Sequence, residues 1–166
     1  MLPGILWAGQ TFRVATYNIL HFAGTYENDE ERIPYLEEVI PALNPDILVL
    51  QEIEGDSAVP ILLNICRSIS PTFEPAVYDD TDSDNMLFYN SSLFRYVGQA
   101  QIPTDYRDIS EYIFQIEGHD FRVYSCHLKA SDGYEYERYL QASILRDHLD
   151  NLPDGTEFVI CGDMNF

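Results

Sequence analysis

The sequence predicts an α/β layered domain with a mixed sheet, and three observations support this prediction. Short apolar runs alternate along the chain with longer segments whose apolar residues recur at helical spacing. Hydrophobic residues make up 46% of the chain and aromatic residues 13%, which is enough to form a core. A length of 166 residues suits one domain or most of one. The chain is therefore expected to fold as helices packed on strands rather than to remain disordered.

The first half of the chain is predicted to contain two helices between strands. Residues 12–19 and 47–50 are apolar runs typical of strands, and the second run suits a strand that is buried on both faces. Residues 32–43 and 57–69 carry apolar residues at helical spacing. Pro41 is expected to kink or end the first helix, because proline cannot continue the backbone hydrogen bonding.

The second half is predicted to contain five strands and the longest helix. Turns at 90–92 and 118–120 each separate a pair of strands, and the predicted strands span 86–89, 93–97, 112–117, 121–127 and 157–161. The helix spans 134–152 and ends before a Pro-Asp-Gly turn. Its buried stripe is predicted to contain Leu145, Leu149 and Leu152, with Leu140 and Ile144 beside it.

The chain is strongly acidic, with 28 acidic and 9 basic residues and a formal charge of −19. Lys129 is its single lysine, and no basic stripe suited to a nucleic-acid backbone is visible. The charge favours a secreted or periplasmic setting over the cytoplasm without assigning a compartment. No apolar run reaches transmembrane length, and Cys126 and Cys161 lie in strand-like runs, where they are expected to be small core residues.

Polar side chains follow four of the predicted strands. Among these four apolar runs, the first leads to Asn18, the second to Glu52 and the third to His127. The fourth, in the last strand, leads to Asp163 and Asn165. Because ligands of open α/β sheets bind beyond the carboxyl ends of strands, these side chains are expected to converge on one site.

The chemistry of this set favours magnesium. The Glu52 carboxylate and the Asn18 carbonyl are hard oxygen donors, and Mg²⁺ is typically held by one or two such groups while keeping much of its water. No cysteine–histidine cluster with zinc spacing is present in the sequence. A magnesium ion, with manganese as the alternative, beside a histidine and an aspartate predicts a phosphoryl-transfer centre.

Five strings carry a resemblance to a known group of proteins. TYNIL, LVLQEIEG, DNMLFYN, YSCHLKAS and VICGDMNF occur in this order between about Phe12 and Phe166. The chain resembles the endonuclease/exonuclease/phosphatase superfamily, also called DNase I-like, in a bacterial and often exported form. The resemblance implies metal-dependent hydrolysis of phosphate esters on a four-layer α/β/β/α sandwich with mixed sheets.

The resemblance also implies a role for each matched residue. Asn18 and Glu52 match metal-side positions, and His127 matches the histidine that binds or protonates the phosphate. Asp163 matches the acid that orients the water or assists the leaving group, and Asn165 matches the amide that holds the scissile phosphate. Met164 departs mildly from the pattern, since the family often has Phe there.

The main departure is that the family's further Asp and its terminal Asp-His pair have no counterpart in these residues. The resemblance therefore implies an N-terminal tail at 1–11 and a partial domain at 12–166 that lacks the C-terminal strands of the sandwich. We expect such a fragment to have little or no catalytic activity by itself.

Each candidate residue also has an ordinary structural interpretation. Asn18 can simply begin a turn, Glu52 can be a solvated loop acid, and His127 can be a hydrogen-bonded core histidine. Asp163 and Asn165 can form an Asx turn. The other histidines, His21, His119 and His148, lack any supporting motif and are predicted to lie on loop or helix surfaces.

Several further questions stay open in the sequence. The resemblance implies that Asp82 or Asp84 partners His127, whereas the acidic loop 80–84 can equally be solvated. Lys129, Tyr134 and Tyr136 either contact substrate or cap a helix. The substrate is a nucleic acid by default for the family, or a small phosphate ester or lipid headgroup, which the acidic charge favours. A non-catalytic relic or binding module of the same fold is the alternative function.

Overall fold

A computed structural model of the protein describes residues 11–24, 29–79 and 84–166. The predicted tail at 1–11 lies outside this range except for its last residue. The elements of the described residues, in chain order, are β1 (Val14–Phe22), α1 (Asp29–Leu43), β2 (Ile47–Ile53), α2 (Ala58–Ile69), β3 (Phe73–Pro75), β4 (Asn85–Asn90), β5 (Arg95–Ile102), β6 (Ile109–Ile116), β7 (His119–His127), α3 (Glu135–Asp150) and β8 (Glu157–Asp163). No helix among these elements is both long and apolar enough to span a membrane.

The strands form two four-stranded mixed sheets. The first sheet has the order β1-β2-β4-β3 and the second has the order β5-β6-β7-β8. Each sheet contains one parallel pair, β1 with β2 and β7 with β8, and the other pairs are antiparallel. A parallel pair needs a long crossover connection, which α1 provides in the first sheet and α3 in the second.

The two sheets pack face to face, with helices on both outer faces. Aromatic rings fill the space between the sheets, where Phe94 and Phe114 lie edge to face with centroids 5.8 Å apart. On the outer face of the first sheet, Ile40 of α1 and Leu62 of α2 are fully buried. On the outer face of the second sheet, Leu145 of α3 packs in the cluster around Tyr124. The predicted α/β/β/α sandwich is confirmed.

The two predicted turns have different outcomes. The turn at Glu117 and Gly118 closes a β6–β7 hairpin, as expected. The turn after Asn90 instead carries the chain from the first sheet to the second, so β4 and β5 are not partners. Phe94 directly follows this turn and is 1% exposed, so its burial between the sheets favours the crossing.

The helices also depart from prediction in two ways. The first helix runs through Pro41 to Leu43, so Pro41 lies inside its last turn rather than ending it. In α3 the predicted Leu145 and Leu149 are buried, whereas Leu140 and Ile144 are 38% and 37% exposed. Two polar residues, Arg138 and Gln141, are buried instead. The sequence also gave no signal for β3, a strand of three residues at the edge of the first sheet.

Gly162 allows β8 to lie close to β7 at the end that carries the candidate site. Its φ is +125°, and a Cβ added there would lie 1.9 Å from the carbonyl oxygen of Cys126. Only glycine permits both this conformation and this approach. The next residue pair in the register is His127 with Asp163, so the glycine fixes the spacing of two candidate site residues. The three cysteines are free, and Cys126 is buried as predicted, whereas Cys161 is half-buried.

Candidate active site

The predicted residues meet at one edge of the sandwich because of the strand directions. Asn18 lies opposite Gln51 across the parallel β1–β2 pair, which places Glu52 beside it. His127 lies opposite Asp163 across the parallel β7–β8 pair. Asn85 begins the antiparallel strand β4 opposite Gln51, and so reaches the same edge from the other direction. Both sheets therefore contribute to a single polar cluster.

Asn18 joins the two carboxylates of this cluster. Its Nδ2 donates to Glu52 Oε1 at 2.7 Å and to Asp163 Oδ2 at 3.0 Å. The second bond connects residues that are 145 positions apart and links the first sheet to the second. Its Oδ1 accepts the backbone N–H of Leu20 at 2.9 Å, which is the turn contact expected of an asparagine. The turn interpretation and the site interpretation of Asn18 therefore both apply.

Glu52 is a half-buried carboxylate held in an unusual backbone conformation. Its φ is +64°, a left-handed value that costs a non-glycine residue about 1–3 kcal/mol and concentrates at functional sites. Its Oε2 accepts the backbone N–H of His21 at 3.1 Å. His127 Nε2 lies 3.6 Å from its Oε1. Glu52 is thus positioned at the centre of the cluster and is not a freely solvated loop acid.

His127 is buried, with 3% of its surface exposed. Burial lowers its pKa below the usual 6.5, and the positive charge of Arg107 lowers the pKa further, against the opposing effect of Glu52 and Asp163. The imidazole is therefore neutral at pH 7. Its Nδ1 is buried and has no hydrogen-bond partner in the part of the chain that the structure describes, which is unusual for a core histidine.

Asp163 and Asn165 form the Asx turn that was considered for them. The backbone N–H of Asn165 donates to Asp163 Oδ1 at 3.0 Å. The Asn165 side chain then reaches back, with Nδ2 donating to the Leu128 carbonyl at 3.0 Å. Asp163 Oδ2 nevertheless faces Asn18, so the turn aims this carboxylate at the cluster.

A layer of buried polar side chains supports the cluster from below. Gln51 Nε2 donates to Ser125 Oγ at 3.2 Å, across the two sheets. Asn85 Nδ2 donates to Ser110 Oγ at 3.2 Å. At the border of this layer, the exposed Thr16 donates to Gln51 at 3.2 Å. Asn85 Oδ1 is buried and has no partner among the described residues. This layer fixes the strand ends that carry Glu52 and His127.

Two residues of the cluster were not predicted from the sequence. His21, which was expected on a loop surface, lies at the end of β1 with Nδ1 against Glu54 and Nε2 at 3.5 Å from Glu52. The hydrogen bond with Glu54 raises its pKa. Its position three residues after Asn18 was a usable signal. Arg107 lies in the β5–β6 loop and has no motif around it, so only the fold could place it here.

The expected acid partner of His127 is not found among the described residues. Asp84 lies 3.7 Å from Arg107, from Oδ2 to Nε, and burial raises its pKa. Asp82 lies outside the described residues. The other two unassigned histidines agree better with expectation, because His119 is exposed and His148 is on α3, although His148 also contacts the buried Glu111.

The donors of the cluster fit a hard divalent cation rather than zinc. No group of three or more His, Cys, Asp and Glu side chains in the described segments surrounds a common point. Magnesium is typically held by only one or two carboxylates and water, which the Glu52 carboxylate and its surroundings can provide. In the present arrangement Asn18 turns its nitrogen, not its oxygen, towards Glu52. Its role as a direct ligand therefore stays a prediction.

Fold and site together define a class of protein. Two face-to-face mixed sheets with helices outside them carry, at the carboxyl ends of both parallel pairs, an acid–amide–histidine cluster. This class is the DNase I-like α/β/β/α sandwich. The pattern of the Endonuclease/Exonuclease/phosphatase family matches residues 15–166. The chain belongs to this family, whose members are phosphoesterases and generally use divalent metal ions.

Solved structures share the fold at low sequence identity. The catalytic domain of human nocturnin with bound sulfate is 24% identical, with a TM-score of 0.71, and the match covers 93% of this chain and 65% of that domain's chain. Sphingomyelinase C from Streptomyces griseocarneus is 18% identical, with a TM-score of 0.75 and coverage of 95% and 65%. A humanized D. rerio TDP2 is 16% identical, with a TM-score of 0.70 and coverage of 93% and 62%.

The chain thus spans 62–65% of the length of these three structures. At these identities the likeness shows the fold alone. Comparison with curated protein sequences found no match.

Proposed function

We propose that this chain is part of a magnesium-dependent phosphoesterase whose reaction centre is the cluster of Asn18, Glu52, His127, Asp163 and Asn165. The observation that carries the proposal is the Asn18 amide, which donates to Glu52 and Asp163 together and ties the two sheets at this point. A structural asparagine has no need to join two carboxylates in a cluster that contains a neutral, buried histidine.

Glu52 is proposed as the residue that holds the metal. Its carboxylate is half-buried and, within residues 11–24, 29–79 and 84–166, accepts only an amide and a backbone N–H besides its histidine neighbours. A bound Mg²⁺ would neutralise charge on a phosphate oxygen and thereby favour attack on phosphorus. Asn18 keeps Glu52 and Asp163 at a fixed separation, which is the kind of pre-organisation that catalysis requires.

Asp163 is proposed to orient the attacking water and to accept its proton. As the water oxygen bonds to phosphorus, the bond from phosphorus to the ester oxygen breaks, and the leaving oxygen takes a proton from solvent or from an acid of the site. His127, which is neutral, donates a hydrogen bond to a phosphate oxygen, and the Asn165 amide does the same once it turns from Leu128. These donors stabilise the charge of the transition state.

The proposed substrate is a compact phosphate ester rather than a long nucleic acid, although nuclease activity is the default for the family. The formal charge of −19 repels polyanions, and the arginine of the site, Arg107, already lies beside Asp84. We also propose that residues 12–166 form the larger part of a domain whose remaining strands complete the site, because the matched structures are longer. Residues 1–166 alone are then expected to be nearly inactive.

The test uses the longest in-frame product of the gene that contains these residues, beside residues 1–166 alone. Hydrolysis of bis(p-nitrophenyl) phosphate, of sphingomyelin and of single-stranded DNA is measured with Mg²⁺ and with EDTA. The proposal expects EDTA-sensitive hydrolysis of the small ester by the longer product and little by residues 1–166. Absence of hydrolysis by a folded longer product would favour the non-catalytic alternative.

A further inference from the structure

We propose that Lys129 binds a second anionic group of the substrate, beside the scissile phosphate, so that the preferred substrate is a compact ester with two anionic groups. This inference rests on the proposed function and adds to it a substrate class and the residue that selects it. It derives from the unusual surroundings of the ammonium group.

Lys129 is the single lysine of a chain that contains 28 acidic residues. Its Nζ nevertheless has no carboxylate within 4.0 Å among residues 11–24, 29–79 and 84–166, whereas Arg107 and Arg138 each pair with one. The ammonium instead donates to the Ala130 carbonyl at 3.4 Å and lies over two rings, 4.2 Å from the centroid of Tyr134 and 5.6 Å from that of Tyr106. Aromatic faces attract a cation without neutralising its charge.

Two buried polar residues of α3 fix the loops that carry this lysine and its rings. Gln141, 2% exposed, accepts the backbone N–H of Lys129 at 2.8 Å and donates to Thr104 Oγ1 at 3.1 Å. Arg138, 8% exposed, donates to the Lys129 carbonyl at 2.9 Å. The burial of two polar side chains on a helix that leaves Leu140 and Ile144 exposed indicates that holding these loops matters for the site.

The same two loops also carry residues of the site, which places Lys129 on its rim. Lys129 lies two residues after His127, and the intervening Leu128 is bonded to both Asp163 and Asn165. Tyr106 directly precedes Arg107, whose Nε lies 3.7 Å from Asp84 Oδ2, and the Asp84 carbonyl accepts the backbone N–H of Ile53, the residue after Glu52. Under the proposal, one molecule spans both places, with its scissile phosphate at Asn165 and its second anionic group over Lys129.

The charges of this rim set the size of the ligand. Asp132 and Glu135 line the cleft of about 640 Å³ that contains Asn165. The negative charge of Glu135 is partly compensated by the guanidinium of Arg138, which lies 3.5 Å from its carboxylate. An extended polyanion would meet these acids, whereas a substrate with one additional phosphate would meet only the lysine.

The first test is binding, which does not depend on turnover. Calorimetry in Mg²⁺ buffer compares inorganic pyrophosphate with inorganic phosphate for the wild-type chain and for Lys129→Met. We expect Lys129→Met to weaken pyrophosphate binding about 10-fold and phosphate binding less than about twofold, as the loss of one charged contact predicts. Lys129→Arg should retain most of the preference for pyrophosphate over phosphate. The matched control is Arg95→Met, which removes a positive charge on β5 that contacts Gln115 on β6. It should change the binding of neither pyrophosphate nor phosphate.

The two aromatic rings are tested in the same way. Tyr134→Phe keeps the ring and should bind pyrophosphate like the wild type, whereas Tyr134→Leu should weaken it. Equal binding of the two anions by the wild type, or equal weakening of both by Lys129→Met, would overturn the inference. A chain that binds pyrophosphate through Lys129, while the longer product hydrolyses no ester, would contradict the proposed function but not the anion site.

Discussion

Two glutamate–histidine clusters lie in different parts of the sandwich, one beneath α3 on the outer face of the second sheet and one at the edge to which both sheets contribute, and their partners differ. Glu111 is 3% exposed and lies opposite Tyr124 on the face that α3 covers. It accepts hydrogen bonds from Arg122, from Tyr124 at 2.7 Å and from His148 at 3.3 Å. Glu52 lies at the shared edge, where its partners are the Asn18 amide, a backbone N–H and the neutral His127.

The difference lies in how the negative charge is compensated. Burial alone would raise the pKa of Glu111, but the hydrogen bonds and charge of Arg122 and the Tyr124 hydroxyl outweigh this effect and lower it. No lysine or arginine within the described residues lies within 4.0 Å of Glu52, and His21 divides its contacts between Glu52 and Glu54. Burial of a glutamate therefore does not indicate function by itself, whereas burial without a permanent cation leaves room for a metal.

The largest expected effect is on catalysis at Glu52. Replacing Glu52 with Gln keeps the shape but removes the charge that would hold the metal, so kcat/KM should fall about 10³-fold in the longest in-frame product. The free energy of unfolding should change little, because no lysine or arginine of the described residues lies within 4.0 Å of Glu52 and His21 keeps its contact with Glu54. Steady-state hydrolysis and urea unfolding of the same samples measure both. A variant with normal kcat/KM would remove Glu52 from the mechanism.

The matched change at Glu111 should have the opposite profile. Glu111→Gln leaves the Arg122 charge without its acid, so the chain should lose about 1–3 kcal/mol of unfolding free energy. Its kcat/KM, corrected for the folded fraction, should equal that of the wild type. A large catalytic loss without destabilisation would mean that the two clusters have been assigned the wrong way round.

The two clusters should also titrate differently. The pKa of His127 is lowered from 6.5, so below pH 6.5 the unfolded state binds the proton first and stability falls as pH decreases towards the folded pKa. The pKa of Glu111 is lowered from 4.5, so the stability it contributes is present above pH 4.5 and is lost as pH falls through its folded pKa. Urea unfolding between pH 8 and pH 3 measures both losses.

His127→Gln should remove the loss of stability below pH 6.5 and leave the loss below pH 4.5. Glu111→Gln should remove the loss of stability below pH 4.5 and leave the loss below pH 6.5. His21, whose pKa is raised, adds stability as pH falls through the same range, so His127 is judged from the difference between the wild type and His127→Gln. An identical dependence of stability on pH from 7 to 6 in both chains would contradict the burial of a neutral His127.

The smallest predicted effect concerns Arg107. Its positive charge lowers the pKa of His127, so Arg107→Met should raise that pKa, whereas Arg107→Lys should leave it nearly unchanged. An NMR titration of the imidazole signals measures the shift, with Arg95→Met as the distant control. A downward shift, or an equal shift in the control, would show that Arg107 does not act on the site.

The sequence predicted the parts of this arrangement that depend on strand ends. Asn18, Glu52, His127 and Asp163 each follow an apolar run, and parallel pairing brings such positions together. Arg107 could not be predicted, because its position depends on a loop that Gln141 fixes from a different element. The apolar stripe of the helix did not predict that Gln141 is buried. It is buried because its amide forms hydrogen bonds with the loops that carry Lys129 and Thr104.

The comparison of the two clusters also explains why the contacts of His21 and His148 were not predicted. His21 and His148 have no motif around them, and both contact a glutamate that is distant in sequence. Only the fold distinguishes the one beside Glu52 from the one beside Glu111. The crossing after Asn90 was missed for a similar reason, because a turn signal predicts a change of direction but not which sheet the next strand joins.

The account depends most directly on a metal at Glu52, and Mn²⁺ binding measures this without any substrate. Electron paramagnetic resonance of free Mn²⁺, titrated with residues 1–166, is compared between the wild-type chain, Glu52→Gln and Glu111→Gln. The account predicts one saturable site in the wild type and in Glu111→Gln, and at least about 10-fold weaker binding in Glu52→Gln, as loss of a charged ligand requires. Binding by Glu52→Gln that equals the wild type, with loss in Glu111→Gln, would contradict it.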